Sequence, residues 1–274
     1  MNKPGPIGVF DSGYGGLTIL KEFVKLLPQY DYIYLGDNAR APYGTRSFEV
    51  VHQYTLEATK LLFDKGCNLV ILACNTASAK ALRKIQQEYI VTLLDYKRVL
   101  GVVRPTSEII GNFTRSNFIG ILGTKGTVQS SAYHIEIAKF FPEVKITQLA
   151  CPMWVPLVEN MEYEGDGADF FVKEKIDELL SISPKIDAVV LGCTHYPMLY
   201  NKIRKYLPEN IKIINQGEIV AQSMQDYLKR HTIMEKLCSQ NGSRSFYTTD
   251  DTISFDNQAS IYFGSEIKSL HLDV

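Results

Sequence analysis

Three short runs in the first hundred residues, IGVF (7–10), YIYL (32–35) and LVILA (69–73), are apolar along their whole length instead of at alternate positions. A strand that is apolar on both faces has to be covered on both, which is the condition of a parallel sheet packed between helices. The intervening segments supply those helices. Leu17, Leu20, Phe23, Val24 and Leu27 share one helical face, Val51, Tyr54, Ala58, Leu61 and Leu62 a second, and Ala77, Ala81, Leu82 and Ile85 a third. Apolar strands alternating with amphipathic helices predict an α/β fold.

The plan repeats in the second half. IGVFDSGYGG from Ile7 aligns with IGILGTKGTV from Ile119, residues 28–35 align with 142–149, and LVILACNT aligns with AVVLGCTH, which sets Cys74 against Cys193. Three strand-plus-loop units in constant order at nearly constant offset indicate two similar α/β domains related by pseudo-symmetry. After a helical pattern at 217–228 (Ile219, Val220, Met224), the last sixty residues are too sparse in apolar runs for a third domain and are expected to return to the first. The expected division is 1–98 plus 211–274 for the first domain and 99–210 for an inserted second domain.

Charge excludes some functions. With 29 Lys plus Arg against 30 Asp plus Glu, the net charge of -1 offers no general attraction to nucleic acid or to an anionic membrane. No apolar run approaches the ~18 residues of a membrane span, and the opening MNKPGPIGVF lacks the apolar core of a secretory signal, so a cytoplasmic protein is expected. The five cysteines are odd in number, widely spaced and free of any C-x-x-C pair, which predicts neither a disulfide framework nor a metal site.

In parallel sheets, ligands bind beyond the carboxyl ends of the strands, where loops and helix N-termini converge. That rule selects Asp11-Ser12-Gly13-Tyr14-Gly15-Gly16, Gly36-Asp37-Asn38, Cys74-Asn75-Thr76, Gly123 through Thr127, and Gly192-Cys193-Thr194-His195. These loops are rich in hydroxyls and amides and poor in cations. The glycine spacing matches neither a dinucleotide fingerprint nor a phosphate-binding P-loop. It serves a tight strand-to-helix turn, beside which Asp11, Ser12 and backbone N–H groups suit a ligand carrying both an ammonium and a carboxylate.

Cys67, Cys151 and Cys238 read as small core residues. Cys74 and Cys193 differ, because each ends an apolar strand and is followed by a residue that opens a helix, a position expected to lower a thiol pKa toward neutrality. If the two domains face each other, the two thiols approach one ligand from opposite sides, which is what inversion of a carbon by proton transfer requires, with one sulfur as thiolate and the other as thiol. His195, next but one to Cys193, is a candidate to tune or relay a proton. Glu159, after the apolar run in CPMWVPLVEN, is a second candidate.

Taken together and in order, FDSGYGG, GDNARAPYG, ILACNTASA, LGTKGT, CPMWVPLVE and LGCTHYP resemble the glutamate racemase family across nearly the whole chain. The resemblance implies cofactor-independent interconversion of L- and D-glutamate by two cysteines in an interdomain cleft, in a homodimer that supplies D-glutamate for peptidoglycan. By matching position, it implies Cys74 acting on D-glutamate and Cys193 on L-glutamate, assisted by Asp11, Glu159 and His195. Ser12, Pro42, Tyr43, Gly44, Asn75, Thr76, Thr124, Thr127 and Thr194 would bind substrate, with Asp11 and His195 also near it.

Two departures stand out. Arg104 occupies a position often acidic in the family, and Asn215-Gln216-Gly217 replaces an Asp-Ser-Gly run. The first motif begins at Ile7, so activation through the N-terminal extension of some relatives is not expected. Aspartate racemase is the nearest alternative, although its second cysteine motif typically carries Glu where His195 stands. A two-lobed amino-acid binding protein and a cysteine hydrolase using Cys193 and His195 are the alternatives from other classes.

Overall fold

The computed structural model describes residues 3–94 and 96–273. Its strands are β1 (Ile7–Asp11), β2 (Tyr32–Gly36), β3 (Leu69–Leu72), β4 (Arg98–Gly101), β5 (Phe118–Gly123), β6 (Lys145–Ala150), β7 (Ala188–Gly192), β8 (Lys212–Ile214), β9 (Arg244–Thr248) and β10 (Ser269–His271). They form two sheets, ordered β10-β9-β2-β1-β3-β4 and β6-β5-β7-β8, with parallel pairing throughout. The four strands of the second sheet thus repeat the order of the first four strands of the first. The fold is α/β with two similar units, as the alternation and the internal repeat predict.

Continuous burial accounts for the parallel pairing. Every residue of β1, β2, β3 and β7 is buried, and helices cover both faces through apolar stripes. The helix Leu17–Leu26 buries Leu17, Ile19, Leu20 and Phe23, and Phe48–Asp64, capped by the Ser47 hydroxyl accepting from the Val50 N–H, buries Val51, Ala58, Leu62 and Phe63. The edge strand β6 is mostly half-exposed, which is why its sequence reads least clearly as a strand.

The sheets move the expected domain crossings by a few residues. β4 pairs with β3, so residues 98–101 stay with the first sheet, and β8 pairs with β7, so 212–214 stay with the second. A division at 98/99 would cut β4, and one at 210/211 would detach β8 from its partner. The apolar periodicity could not show this, because both strands are short edge strands. The two crossings lie side by side, with the Gln216 side-chain nitrogen donating to the Val102 carbonyl at 3.2 Å.

The chain end returns to the first sheet, where β9 lies against β2. Asp31, just ahead of β2, holds that return: its carboxylate accepts from the Asn241 N–H and side-chain nitrogen at 3.1 and 2.7 Å, and from the Ser243 N–H and hydroxyl, both at 2.8 Å.

Candidate active site

In each sheet, the chain leaves the first strand in one direction and returns on the opposite side, so that a crevice opens at the carboxyl ends of β1 and β3 and again at those of β5 and β7. Asp11 ends β1 and Cys74 follows β3; Thr124 follows β5 and Cys193 follows β7. The two crevices face each other. Gly126 N–H donates to Gly44 O at 2.8 Å, the Thr76 and Thr124 hydroxyls are 2.9 Å apart, and the Thr194 hydroxyl donates to Asp11 at 3.3 Å.

Between them lies a cavity of about 60 Å³, whose lining includes both thiols. Ser12, Pro42, Tyr43, Gly44, Cys74, Asn75, Thr76, Thr124, Glu159, Cys193, Thr194 and His195 all border it. Two residues expected to touch a ligand stand behind this wall. Asp11 is fully buried, accepting from the Gly13 N–H at 2.9 Å and from Thr194. Thr127 is also fully buried, with its hydroxyl 3.0 Å from that of Thr124 and 3.4 Å from that of Thr76. The Tyr43 hydroxyl donates to Asp37, so this residue faces the cavity without a free hydroxyl hydrogen. A larger hollow of about 740 Å³, lined in part by Arg83, Arg104, Lys139 and Arg230, contains neither thiol.

The glycines of the first loop serve close approach. A Cβ on Gly15 would stand 2.3 Å from Thr194 Oγ1 and 2.6 Å from His195 Nδ1, and one on Gly44 would stand 2.9 Å from Thr124 Cβ. The two halves can meet at these points only because no side chain intervenes.

The thiols have different surroundings. Cys74 caps the helix Asn75–Lys80, its sulfur accepting from the Ala77 N–H at 3.4 Å and lying 3.5 Å from the Ser12 hydroxyl. Burial, and next the charge of Asp11, push this thiol up to about 12, against the opposing contacts of Ser12 and Ala77. The helix N-terminus is therefore outweighed, contrary to the lowering that its position in the sequence predicts, because a short cap inside a buried crevice cannot offset desolvation and a neighbouring carboxylate.

Cys193 has an ionisable partner. Its sulfur is 3.9 Å from His195 Nδ1, and Nε2 of the same ring is 3.1 Å from Glu159 Oε1, a close charge contact without hydrogen-bond alignment. Burial opposes the charged ring, but Cys193 and Glu159 outweigh it and hold His195 well above the ordinary imidazole pKa. The carboxyl of Asp11 is raised, chiefly by its burial, with the charge of His195 acting against the rise.

Several neighbours are not singled out as site residues by the sequence, some of them inside the CPMWVPLVE motif itself. Pro152, Val155 and Pro156 form an apolar wall, and Cys151, itself core-buried, borders the same cavity. Tyr133, in the helix Ala132–Phe140, donates from its hydroxyl to Asn75 Oδ1 at 2.8 Å. Nothing in the order of residues marks it, since the contact joins the two halves. Arg104 pairs with Glu108 at 2.7 Å on an exposed helix face, away from the thiols.

Residues 7–224 match the family model described as Asp/Glu/Hydantoin racemase. The chain is 41% identical over 253 residues to a glutamate racemase of Listeria innocua, covering 92% of each. Among solved structures it resembles a glutamate racemase isoform of Bacillus anthracis, with TM-score 0.90, 33% identity and coverage of 100% of this chain and 99% of that one. It also resembles the glutamate racemase of Francisella tularensis in complex with D-glutamate, with TM-score 0.83, 30% identity and coverage of 100% and 97%.

Proposed function

From the premise that the chain belongs to the Asp/Glu/hydantoin racemase family and is an isomerase of the amino-acid racemase kind, we propose that it interconverts L- and D-glutamate through Cys74 and Cys193. The observation that carries this reading is that two thiols, from equivalent strand ends of two similar sheets, border one cavity with different protonation partners. A charge on Cys193 also disfavours a second one on Cys74, which suits a cycle with one thiolate and one thiol.

In the L-to-D direction, Cys193 takes the α-proton while the protonated ring of His195, held by Glu159, balances the charge moving onto and off that sulfur. Cys74, kept as a thiol by burial, returns a proton on the opposite face. The reverse direction exchanges the two roles. The α-carbon of glutamate is a very weak acid, so donors have to be in place for the negative charge that develops on its carboxylate. Ser12, Thr76, Thr124 and Thr194 supply hydroxyls along the cavity, exclusion of water strengthens each of them, and the Asn75 amide holds the bound substrate. Asp11 acts through Thr194 and the Gly13 backbone. Supply of D-glutamate for peptidoglycan in the cytoplasm, without a cofactor and as a homodimer, completes the proposal. It is supported by the motif set and by the glutamate named for the relatives.

The test is incubation with L-glutamate in D₂O, following the α-proton by NMR together with optical rotation. Exchange of that proton for deuterium while rotation decays to zero is the expected result. Retention of both under conditions where glutamate binds would overturn the proposal and leave a binding protein. The Cys193–His195–Glu159 line also favours a second reading, a thiol hydrolase, for which mass spectrometry would detect an acyl adduct on Cys193.

A further inference from the structure

Asn75 is 2% exposed, borders the cavity, and has a side-chain nitrogen, Nδ2, that is buried and has no hydrogen-bond partner among the described residues. A buried amide N–H₂ without an acceptor carries the cost of its lost hydration uncompensated, so a conformation presenting it needs something to hold it there. An asparagine amide can rotate to exchange its oxygen and nitrogen, and only its neighbours decide which one faces the ligand.

The neighbours make that decision through a chain of donors that begins at the domain crossings. The Val102 carbonyl can only accept, so the Gln216 atom facing it at 3.2 Å is the amide nitrogen. The same nitrogen is 2.9 Å from Thr106 Oγ1 and 2.7 Å from the Tyr133 hydroxyl, its shortest contact. Burial holds the Tyr133 phenol far above its ordinary pKa, so it remains an O–H. Accepting from Gln216, it has one hydrogen left to give, and that hydrogen goes to Asn75 Oδ1 at 2.8 Å. With the oxygen thus engaged, Nδ2 is the amide atom left without a partner among the described residues, in a side chain that borders the cavity.

We infer that Gln216 and Tyr133 are positioning residues for the reaction, fixing the Asn75 amide so that its N–H₂ is presented to a carboxylate of the substrate. This rests on the glutamate-racemase reading for the identity of that carboxylate. The relay couples substrate binding to the crossings, because Val102 and Gln216 belong one to each.

The test is a double-mutant cycle in the racemisation assay, with Tyr133→Phe, Asn75→Ala and the pair together. Active wild-type enzyme first secures the glutamate reading, and inactive wild type would defeat that reading rather than this one. Tyr133→Phe retains the buried ring, frees the amide to turn its oxygen toward the carboxylate, and is expected to raise KM about tenfold with kcat changed less than about threefold. In the Asn75→Ala background the same change is expected to add nothing, because the residue it acts through is gone. Multiplicative effects in the double variant, or a fall in kcat with KM unchanged, would overturn the inference and leave Tyr133 a packing residue. Should Tyr133→Phe fail to fold, the cycle is run with Gln216→Met. This variant removes the first donor, is expected to raise KM about threefold alone and not at all over Asn75→Ala, and overturns the inference if its effects multiply.

Discussion

Cys193 Sγ stands 3.9 Å from Nδ1 of His195, whereas Cys74 Sγ has a hydroxyl and a backbone N–H as its hydrogen-bonding neighbours. Both cysteines are 6% exposed, so residue burial does not distinguish them. What differs is charge, since His195 is held well above the ordinary imidazole pKa while Asp11 repels charge from Cys74.

Alkylation will read this asymmetry. With iodoacetamide at pH 8, Cys193 is expected to be modified about tenfold faster than Cys74, as followed by peptide mass spectrometry. His195→Asn should remove most of the preference; equal rates in the unmodified protein would show that the imidazole does not influence the sulfur.

Replacement of either thiol should be costly in both directions. Cys74→Ser and Cys193→Ser are each expected to lower kcat/KM by about 10²–10⁴-fold, the range for removing one acid–base group. L- and D-glutamate have equal free energies, so the loss must be the same from either side, which circular dichroism at several substrate concentrations can verify. Near-wild-type turnover in either variant would exclude a two-thiol cycle.

The titration of Cys74 should respond to Asp11. Burial and the Asp11 carboxylate both raise this thiol, which reaches about 12. Asp11→Asn deletes a nearby negative charge, so the thiolate should form at lower pH. The pH dependence of Cys74 alkylation in a Cys193→Ser background measures the shift; a midpoint that stays in place or moves upward contradicts the assigned electrostatics.

Gly15→Ala tests whether the halves must meet closely. Its methyl group would meet Thr194 Oγ1 at 2.3 Å and His195 Nδ1 at 2.6 Å, which forces the crevices apart. Activity is expected to fall at least about tenfold, since misplacing reacting groups by about 1 Å can cost 10²-fold. A thermal midpoint close to wild type would place the effect on closure, and full activity would mean that the loops yield freely.

Asp31 should make stability depend on acid. Burial opposes its charge, but the donors around it outweigh burial and hold the carboxyl below its ordinary pKa. An aspartate in the unfolded chain titrates near pH 3.9, so the contribution is complete above about pH 5 and is lost as pH falls through the depressed folded value. Asp31→Asn is expected to cost about 1–3 kcal/mol at pH 7 in urea unfolding, with the difference shrinking toward pH 3. A difference that does not depend on pH would show that the carboxylate charge is immaterial.

Strands apolar on both faces and helices apolar on one stripe carried the α/β class, the parallel pairing and the duplication in local order, because burial imposes its period on each segment separately. The same logic brought out Cys74, Cys193 and the hydroxyl-rich loops, since in a parallel sheet the ends of inner strands are where a ligand can reach. Short edge strands β4 and β8 blurred the crossings. Tertiary structure alone decided that Asp11 and Thr127 stand behind the cavity wall, that burial outweighs the helix N-terminus at Cys74, and that Gln216, Tyr133 and Asn75 form one line. Desolvation and the direction of a hydrogen bond depend on which distant atoms come within about 3 Å, and residues 75, 133 and 216 become neighbours only when the two sheets close on each other.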